Sequence, residues 1–435
     1  MMMEKDTKDD LEHMFKTYYS AHREGKLSEA EKGYRDILKK RPDWGRALNA
    51  LGNLFLDQDL PDKAKPLFEK AAHLNPPDLS ACYSLGRLKQ LENDHQGAIS
   101  IYKVMLDQQP KIGQVWNNLG VAYRETGKHD DAFASFRAAV TFAPEMAEAW
   151  NNLGVAQDER NLTENALKSY AKAIEIQPDY ASPHLNLGIL LQKAKQFEDA
   201  EKHYNKVLNI HPGHEVATFM LQSMGRGETP AAAPVEHIRT IFDQCAENFE
   251  TILVETLDYK TPELLFNLVR PYLTENMTIL DLGCGTGLGA QHYRPFAKSL
   301  TGVDVSTKML EKATEKKLYN RLEIFDILQD WVFPTQFDLI YSSDVFVYFG
   351  NLDTIITSAS SYLVSGGKLA FSVELLKDHT ADYQLYPTGR FAHSQHYIQQ
   401  CLDRHELTIT DISKADIRNQ SGHPVKGLLI VAIKK

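Results

Sequence analysis

Between residues 11 and 224, apolar and small side chains recur at helical spacing, and the whole pattern returns every 34 residues. In the frame that opens at Gly113, the series Trp116, Leu119, Gly120, Tyr123, Ala132, Phe136, Ala139 and Pro144 is echoed by Trp150, Leu153, Gly154, Ala166, Tyr170, Ala173 and Pro178. The same offset finds Leu187, Gly188, Leu191, Ala200, Tyr204 and Pro212 downstream, and Leu85, Gly86, Ala98, Tyr102 and Pro110 upstream. Leu51, Gly52, Phe55, Ala64, Phe68 and Pro76 come before those, after a weaker copy with Ala30, Tyr34 and Pro42. Each unit predicts two antiparallel helices. Glycine at the eighth position and alanine at the twentieth let the helices pack closely, and the proline closes the unit because it cannot continue a helix. A single unit cannot bury its own apolar face, so the six must stack into a superhelix, with Glu215 to Met224 as a capping helix.

Gly225 to Val235, GRGETPAAAPV, breaks this periodicity and reads as a linker. As a flexible coil it would span about 18 Å and hold the flanking domains at an effective concentration on the order of millimolar. From His237 the pattern is helical through Leu257, and Thr261 is expected to cap a further helix with Pro262 in its first turn. After Met277 the pattern alternates. Apolar strand-like runs at Leu300 to Asp304, Leu322 to Asp326, Phe337 to Tyr341 and Lys368 to Glu374 are separated by helical stretches, one opening at Ser306 and one running through Leu363 to Gly366 and Gly367. That order predicts a parallel sheet covered by helices on both faces. The last two β-rich runs, Leu407 to Ser413 and Gly427 to Ile433, leave no room for a crossover helix and should pair antiparallel. The predicted organisation is a tail at 1–10, repeats and cap at 11–224, a linker at 225–235 and an α/β domain at 236–435, with entry helices at 236–275 and a core at 276–435.

Composition narrows the partners. A formal net charge of -10 argues against general attraction to nucleic acid or anionic membrane, which need basic surfaces. Neither an apolar leader nor a run of about 18 apolar residues is present, so the expected compartment is the cytoplasm. The four cysteines, Cys82, Cys245, Cys284 and Cys401, are too widely spaced for a disulfide framework or zinc site.

The chemistry concentrates at Met277 to Gly287, MTILDLGCGTG. An apolar strand ends at Asp281, then Gly283, Gly285 and Gly287 open a helical pattern at Leu288. Glycines tolerate positive φ and let a ligand approach bare backbone, and a helix N-terminus attracts anionic groups, so a nucleotide-like cofactor is expected. Gly285 to Ala290, GTGLGA, also fits a dinucleotide turn. Asp304, at the end of the second strand, could accept from ribose hydroxyls with either cofactor. Asp326, ending the third, is placed for an adenine amino group, and the closing antiparallel pair suits a methyltransferase sheet rather than a two-halved dinucleotide fold.

ILDLGCGTG, GVDVSTKML, FDLIYSSDVFVY and SGGKLAFSVE resemble the ordered motifs of class I S-adenosylmethionine-dependent methyltransferases, and the 34-residue units resemble tetratricopeptide repeats. With FDQCAENF and GRFAHSQHYI, residues 11 to 435 are similar to predicted methyltransferases fused to such repeats. The resemblance implies an all-α tetratricopeptide superhelix followed by an α/β Rossmann-like domain, a seven-stranded sheet with its last strand antiparallel. It also implies S-adenosyl-L-methionine as cofactor. Gly283, Gly285 and Gly287 would lie beneath the methionine moiety, Asp281 at its amino end, Asp304 on the ribose, and Asp326 with Ile327 at the adenine. It implies no particular acceptor.

The acceptor side is sought after the fourth and fifth strands. Asp344 reads either as a cofactor or acceptor contact or as a helix cap, Tyr348 as an acceptor contact or an apolar packing residue, and His393 as a general base near neutral pH or an ordinary loop histidine. His393 and His396 form HxxH without a further spaced ligand, so no metal is expected. Phe242 and Asp243 read as a lid over the cofactor or as one face of a packed helix. In the repeats, Asn118, Asn152 and Asn186 share the sixth position, where a ladder of amides could grip an extended protein or peptide in the concave groove. The bland alternative is that Asn is simply common there. The expected function is methyl transfer with the repeats recruiting substrate or partner. A non-catalytic scaffold and a dinucleotide oxidoreductase are the alternatives.

Overall fold

A computed structural model describes residues 2–251, 253, 259–376, 381–420 and 423–435. The chain divides into two compact units, Met1–Leu187 and Gly188–Lys435.

The first unit is a stack of helix pairs: Met2–Arg23 with Leu27–Lys40, Gly45–Asp57 with Pro61–Ala72, Leu79–Leu91 with His95–Gln108, Gly113–Glu125 with His129–Phe142, and Ala147–Asp158 with Thr163–Ile176. The periodic glycines explain the pairing. A Cβ at Gly52, Gly86, Gly120 or Gly154 would lie within 2.4–2.6 Å of the ring of Phe68, Tyr102, Phe136 or Tyr170. Each ring is buried, so the second helix of every unit drives one aromatic plate against the bare backbone of the first. Indoles repeat with the same period: Trp116 and Trp150 each donate Nε1–H to the carbonyl of the proline six residues earlier, Pro110 and Pro144, at 2.8 Å. The segment expected as a tail is part of the first helix, Met2–Arg23.

The second unit opens on the rest of the helix Ala181–Lys193, then Phe197–Ile210 and the cap Glu215–Ser223. It continues into nine strands among the described residues: β1 (Met277–Leu282), β2 (Ala297–Asp304), β3 (Arg321–Ile324), β4 (Phe337–Ser342), β5 (Leu363–Leu375), β6 (Tyr383–Leu385), β7 (Phe391–His393), β8 (Leu407–Gln420) and β9 (His423–Lys434). The order β3-β2-β1-β4-β5 is parallel, and β9 then pairs antiparallel with both β5 and β8. This is the expected seven-stranded sheet with its antiparallel last strand. A β6–β7 hairpin is added to it, paired to the far end of β5 through Glu374–Ala392 and Leu375–His393.

Local differences have local causes. Only Ala290–Tyr293 is α-helical after the glycine turn, because Pro295 follows and β2 begins at Ala297. Thr261 is the first residue of its helix rather than the cap, and its hydroxyl donates to the Ile417 carbonyl at 3.1 Å. The helix expected through Leu363 ends at Tyr362, and β5 runs on through Gly366, whose φ of +79° takes up a register shift against β4. The entry helix is Val235–Cys245, followed by shorter turns to Thr251, and its expected continuation to Leu257 lies outside the described residues. Ala231 and Ala233, expected within the linker, are tied to the domain: Ala233 N–H donates to Tyr348 O at 2.8 Å, and Gly350 and Asn351 N–H donate to Ala231 O at 2.7 and 2.9 Å. No helix among the described residues is long and apolar enough to cross a membrane.

Candidate active site

The strand-to-turn exit of β1 builds the first wall. Gly283, Gly285 and Gly287 have φ of +69°, +53° and +78°, the left-handed region that costs a side chain about 1 kcal/mol or more. At Gly283 a Cβ would also strike Val345 at 2.4 Å, whereas at Gly285 it would meet only Phe249, at 3.7 Å. Gly285 therefore leaves its backbone open to the cavity. Asp304, at the end of β2, holds this turn: its Oδ2 accepts from Gly285 N–H and its Oδ1 from Ser306 N–H, both at 2.9 Å. Burial raises the Asp304 carboxyl above its ordinary value, against the lowering effect of those N–H donors.

Asp281 lies beneath the turn and is 3% exposed. Its Oδ2 accepts from the phenols of Tyr341 at 2.6 Å and Tyr319 at 2.7 Å. Burial dominates these donors and pushes the carboxyl up to about 7. Asp326 follows β3, with Oδ1 accepting from Leu328 N–H at 3.0 Å, and its neighbour Ile327 is buried.

Asp281, Gly283, Gly285, Asp304, Asp326, Ile327 and Tyr341 line one cavity of about 1220 Å³ including the open solvent at its mouth, whereas Gly287 shapes the turn without lining it. Its far side is apolar, from Ile238, Phe242, Phe249 and Leu253, and Ala233 forms part of the same wall. Phe242 stands edge-on to Phe249 and Tyr348, with centroids 5.9 and 5.7 Å apart. Asp243 points elsewhere and accepts from Ser306 Oγ at 2.6 Å. Ser343 also lines the cavity, and its buried Oγ has no partner, which leaves a hydrogen-bonding position open to a ligand.

At the other end stands an ionic network that local sequence patterns did not reveal. Asp344, held at φ +60° just after β4, accepts from Arg390 Nη2 at 2.6 Å and Arg418 Nη1 at 3.1 Å. Glu374 near the end of β5 accepts from Arg390 Nε at 2.7 Å and from Arg418 Nη2. Arg390 Nη1 donates to the Tyr348 hydroxyl at 3.2 Å, and burial pushes that phenol up, so it stays protonated. Arg418 is 4% exposed. Two guanidiniums thus share two carboxylates in a nearly dry setting, where breaking one pair leaves a charge unpaired. Asp344, Tyr348, Arg390 and Arg418 all line the cavity, which brings the expected Asp344 and Tyr348 together.

His393 is not among them. It is fully buried on β7, with Nε2 placed to donate to the carbonyls of Phe349 at 2.8 Å and Gly350 at 3.1 Å. Burial lowers its pKa to about 4, so the ring is neutral at physiological pH and braces the wall from behind instead of reaching a substrate as a base. His396 is exposed, so the two histidines do not share a site. In the repeats, the three asparagines each commit a donor between units: Asn118 Nδ2 to Tyr83 OH at 3.3 Å, Asn152 Nδ2 to Asn117 Oδ1 at 2.9 Å, and Asn186 Nδ2 to Asn151 Oδ1 at 3.2 Å.

Comparison with known proteins bears on both halves of the chain. Residues 254–410 match a family model described as a methyltransferase domain. Tetratricopeptide-repeat models match residues 19–78, 49–111 and 83–147, then 159–195 and 184–214. An uncharacterized methyltransferase of Schizosaccharomyces pombe is 30% identical over 127 residues, 26% of this chain and 44% of that protein. A malonyl-[acyl-carrier protein] O-methyltransferase of Priestia megaterium is 32% identical over 113 residues, 25% of this chain and 41% of that one. The chain thus spans less than half the length of either relative. Among solved structures, YrrB, described as a TPR protein with an unusual peptide-binding site, is 18% identical with a TM-score of 0.38, covering 43% of this chain and 97% of its own. The N-methyltransferase NodS of Bradyrhizobium japonicum WM9, in complex with S-adenosyl-l-homocysteine, is 24% identical with a TM-score of 0.33, covering 40% and 85%.

Proposed function

We propose that this chain, which carries tetratricopeptide repeats ahead of a methyltransferase domain, is an S-adenosylmethionine-dependent methyltransferase. The observation that carries the reading is Asp304 holding the open Gly285 turn. The site fits that cofactor chemically. It offers bare backbone at Gly285, an unpartnered Ser343 hydroxyl, carboxylates at Asp281, Asp304 and Asp326, and apolar walls. Asp281 would hold the amino end, Asp304 the ribose, and Asp326 with Ile327 the adenine. When bound, S-adenosylmethionine supplies a methyl group on an electrophilic sulfonium.

The chain's own contribution is positioning and exclusion of water. Phe242, Phe249 and Ile238 shield the cavity, and the network of Asp344, Arg390, Glu374 and Arg418 fixes a polar end for the acceptor. Asp344 is committed to two guanidiniums and Tyr348 stays protonated, so this end orients an acceptor that arrives already nucleophilic. The repeats recruit a protein or peptide. Each of the three asparagines has spent a donor between units, Asn118 also bonds the Tyr102 phenol, and the half-buried Asn118 and Asn186 would offer an extended chain what remains of their amides, a reading that the double variant Asn118→Ala, Asn152→Ala tests through partner affinity.

The direct test is transfer of labelled methyl from S-adenosylmethionine into cell extract by the full-length protein. Label in a macromolecular or small-molecule fraction, lost in Asp304→Ala, is the expected result. Absence of transfer despite cofactor binding would favour the scaffold alternative.

A further inference from the structure

The hairpin that presents Arg390 stands on slender support from the sheet. Tyr386 and Arg390 flank a three-residue loop in which Gly389 N–H donates to Tyr386 O and Tyr386 N–H to Arg390 O, both at 2.9 Å. Pro387 takes the turn position its fixed φ favours, and Gly389 sits at φ +74°. Yet β7 has only three residues and two registered pairs with β5. Little in that arrangement would hold a guanidinium on three acceptors at once.

His393 and Leu376 brace β7 beyond the loop, and the loop itself is held by Gln192 and the cap, which lie in the same compact unit from Gly188 onward. Gln192, 4% exposed, donates from Nε2 to the Pro387 carbonyl at 2.8 Å and to Ser223 Oγ at 2.9 Å, while its Oε1 accepts from Tyr204 OH at 2.8 Å. Phe219 of the cap is buried, with its ring 5.4 Å from His237 and 6.5 Å from Phe391. A Cβ placed on Gly389 would meet Phe219 at 3.5 Å, so the loop rests on that ring. The repeat period gives Gln192 a counterpart. Three units earlier, Gln90 also accepts from a tyrosine, Tyr102, at 2.7 Å, and its Nε2 donates to the Asn118 carbonyl of the following unit at 3.3 Å. In the last unit the following helix is the cap, whose Ser223 hydroxyl takes one hydrogen bond from the same amide, and the amide also reaches the Pro387 carbonyl of the loop bearing Arg390.

We propose that Gln192 and Phe219 are positioning residues for Arg390, and that the last repeat with its cap is a structural part of the acceptor end of the cavity. This rests on reading that cavity as a methyl-transfer site.

The test uses the full-length protein with Gln192→Ala, Phe219→Ala, Phe219→Leu and, as a reference, Arg390→Gln. Three quantities are measured: amide hydrogen exchange, calorimetric affinity for S-adenosylhomocysteine, and labelled methyl transfer into cell extract. Gln192→Ala and Phe219→Ala are expected to speed exchange across residues 386–391 by about tenfold or more. They should leave S-adenosylhomocysteine affinity within about twofold, since Gly285, Asp304 and Asp281 are untouched, and cut transfer by about fivefold or more. Arg390→Gln should lose transfer with the loop still protected, and Phe219→Leu should recover at least half the loss. Unchanged exchange in the loop, or faster exchange with full transfer, overturns the proposal. Should Phe219→Ala unfold, seen as lost protection in β1 and β4, Gln192→Ala decides alone. If the unsubstituted protein binds no S-adenosylhomocysteine, the methyltransferase reading fails, and loop exchange still decides whether Gln192 and Phe219 hold Arg390.

Discussion

Asp281 offers the sharpest quantitative consequence of the proposed cofactor site. Its carboxyl is 3% exposed and raised by burial to about 7. If this group holds the ammonium end of S-adenosylhomocysteine, the ligand selects the carboxylate, and affinity scales with the deprotonated fraction. That fraction is about 0.09 at pH 6 and about 0.76 at pH 7.5, so binding should tighten by about eightfold between them. About 0.9 proton should be released on binding at pH 6, measurable from the dependence of the calorimetric enthalpy on buffer ionisation. Stability of the free protein runs the other way. A raised carboxyl pKa contributes stability that is whole below its unfolded value of about 3.9 and is lost as pH rises through about 7. The full swing is on the order of 4 kcal/mol, one pKa unit being worth about 1.4 kcal/mol. Asp281→Asn should flatten both trends. A wild-type affinity that changes by less than about twofold over this range, or an eightfold change that survives in Asp281→Asn, would show that Asp281 does not hold the ammonium end.

Three further outcomes follow from the same geometry. Asp304→Ala removes the acceptor for Gly285 N–H along with the proposed ribose contact, and should weaken S-adenosylhomocysteine by about tenfold or more in calorimetry, charged hydrogen bonds being worth about 1.5–3 kcal/mol. Arg418→Met should lower unfolding free energy in urea by about 3–5 kcal/mol, because Asp344 and Glu374 each lose a buried cationic partner. Gly154→Val forces side-chain atoms against the Tyr170 ring, only 2.5 Å from the Cβ position, and should destabilise the repeat unit by about 1–3 kcal/mol in thermal melting.

What the sequence revealed follows from where the information is stored. The repeats were legible because one physical contact, glycine against an aromatic plate, recurs at a fixed spacing from Gly52–Phe68 to Gly154–Tyr170. The sheet was legible because each strand writes its own apolar run, and the glycine turn because its residues are consecutive. The ionic network at the cavity's polar end was not, since Asp344, Glu374, Arg390 and Arg418 meet across 16 to 74 residues and no local pattern records their pairing. One signal was available: Glu374 closes an apolar strand run, and a carboxylate buried there needs a cation. His393 lay in a stretch rich in polar residues and read as an accessible loop, but the added β6–β7 hairpin sequesters it. The segment at 225–235 has the composition of a coil, and composition says nothing of the backbone hydrogen bonds that join Ala231 and Ala233 to residues 348–351. A chain cut near Val235 would lose those bonds together with Gln192 and Phe219, so it would remove part of the cavity wall as well as the repeats.

The cavity beneath Gly283 and Gly285 is proposed to take S-adenosylmethionine. Calorimetry of the full-length protein with S-adenosylhomocysteine and, separately, with NAD tests it most directly. Binding of S-adenosylhomocysteine with no measurable binding of NAD is the expected result; micromolar or tighter binding of NAD alone would overturn the assignment of this cavity.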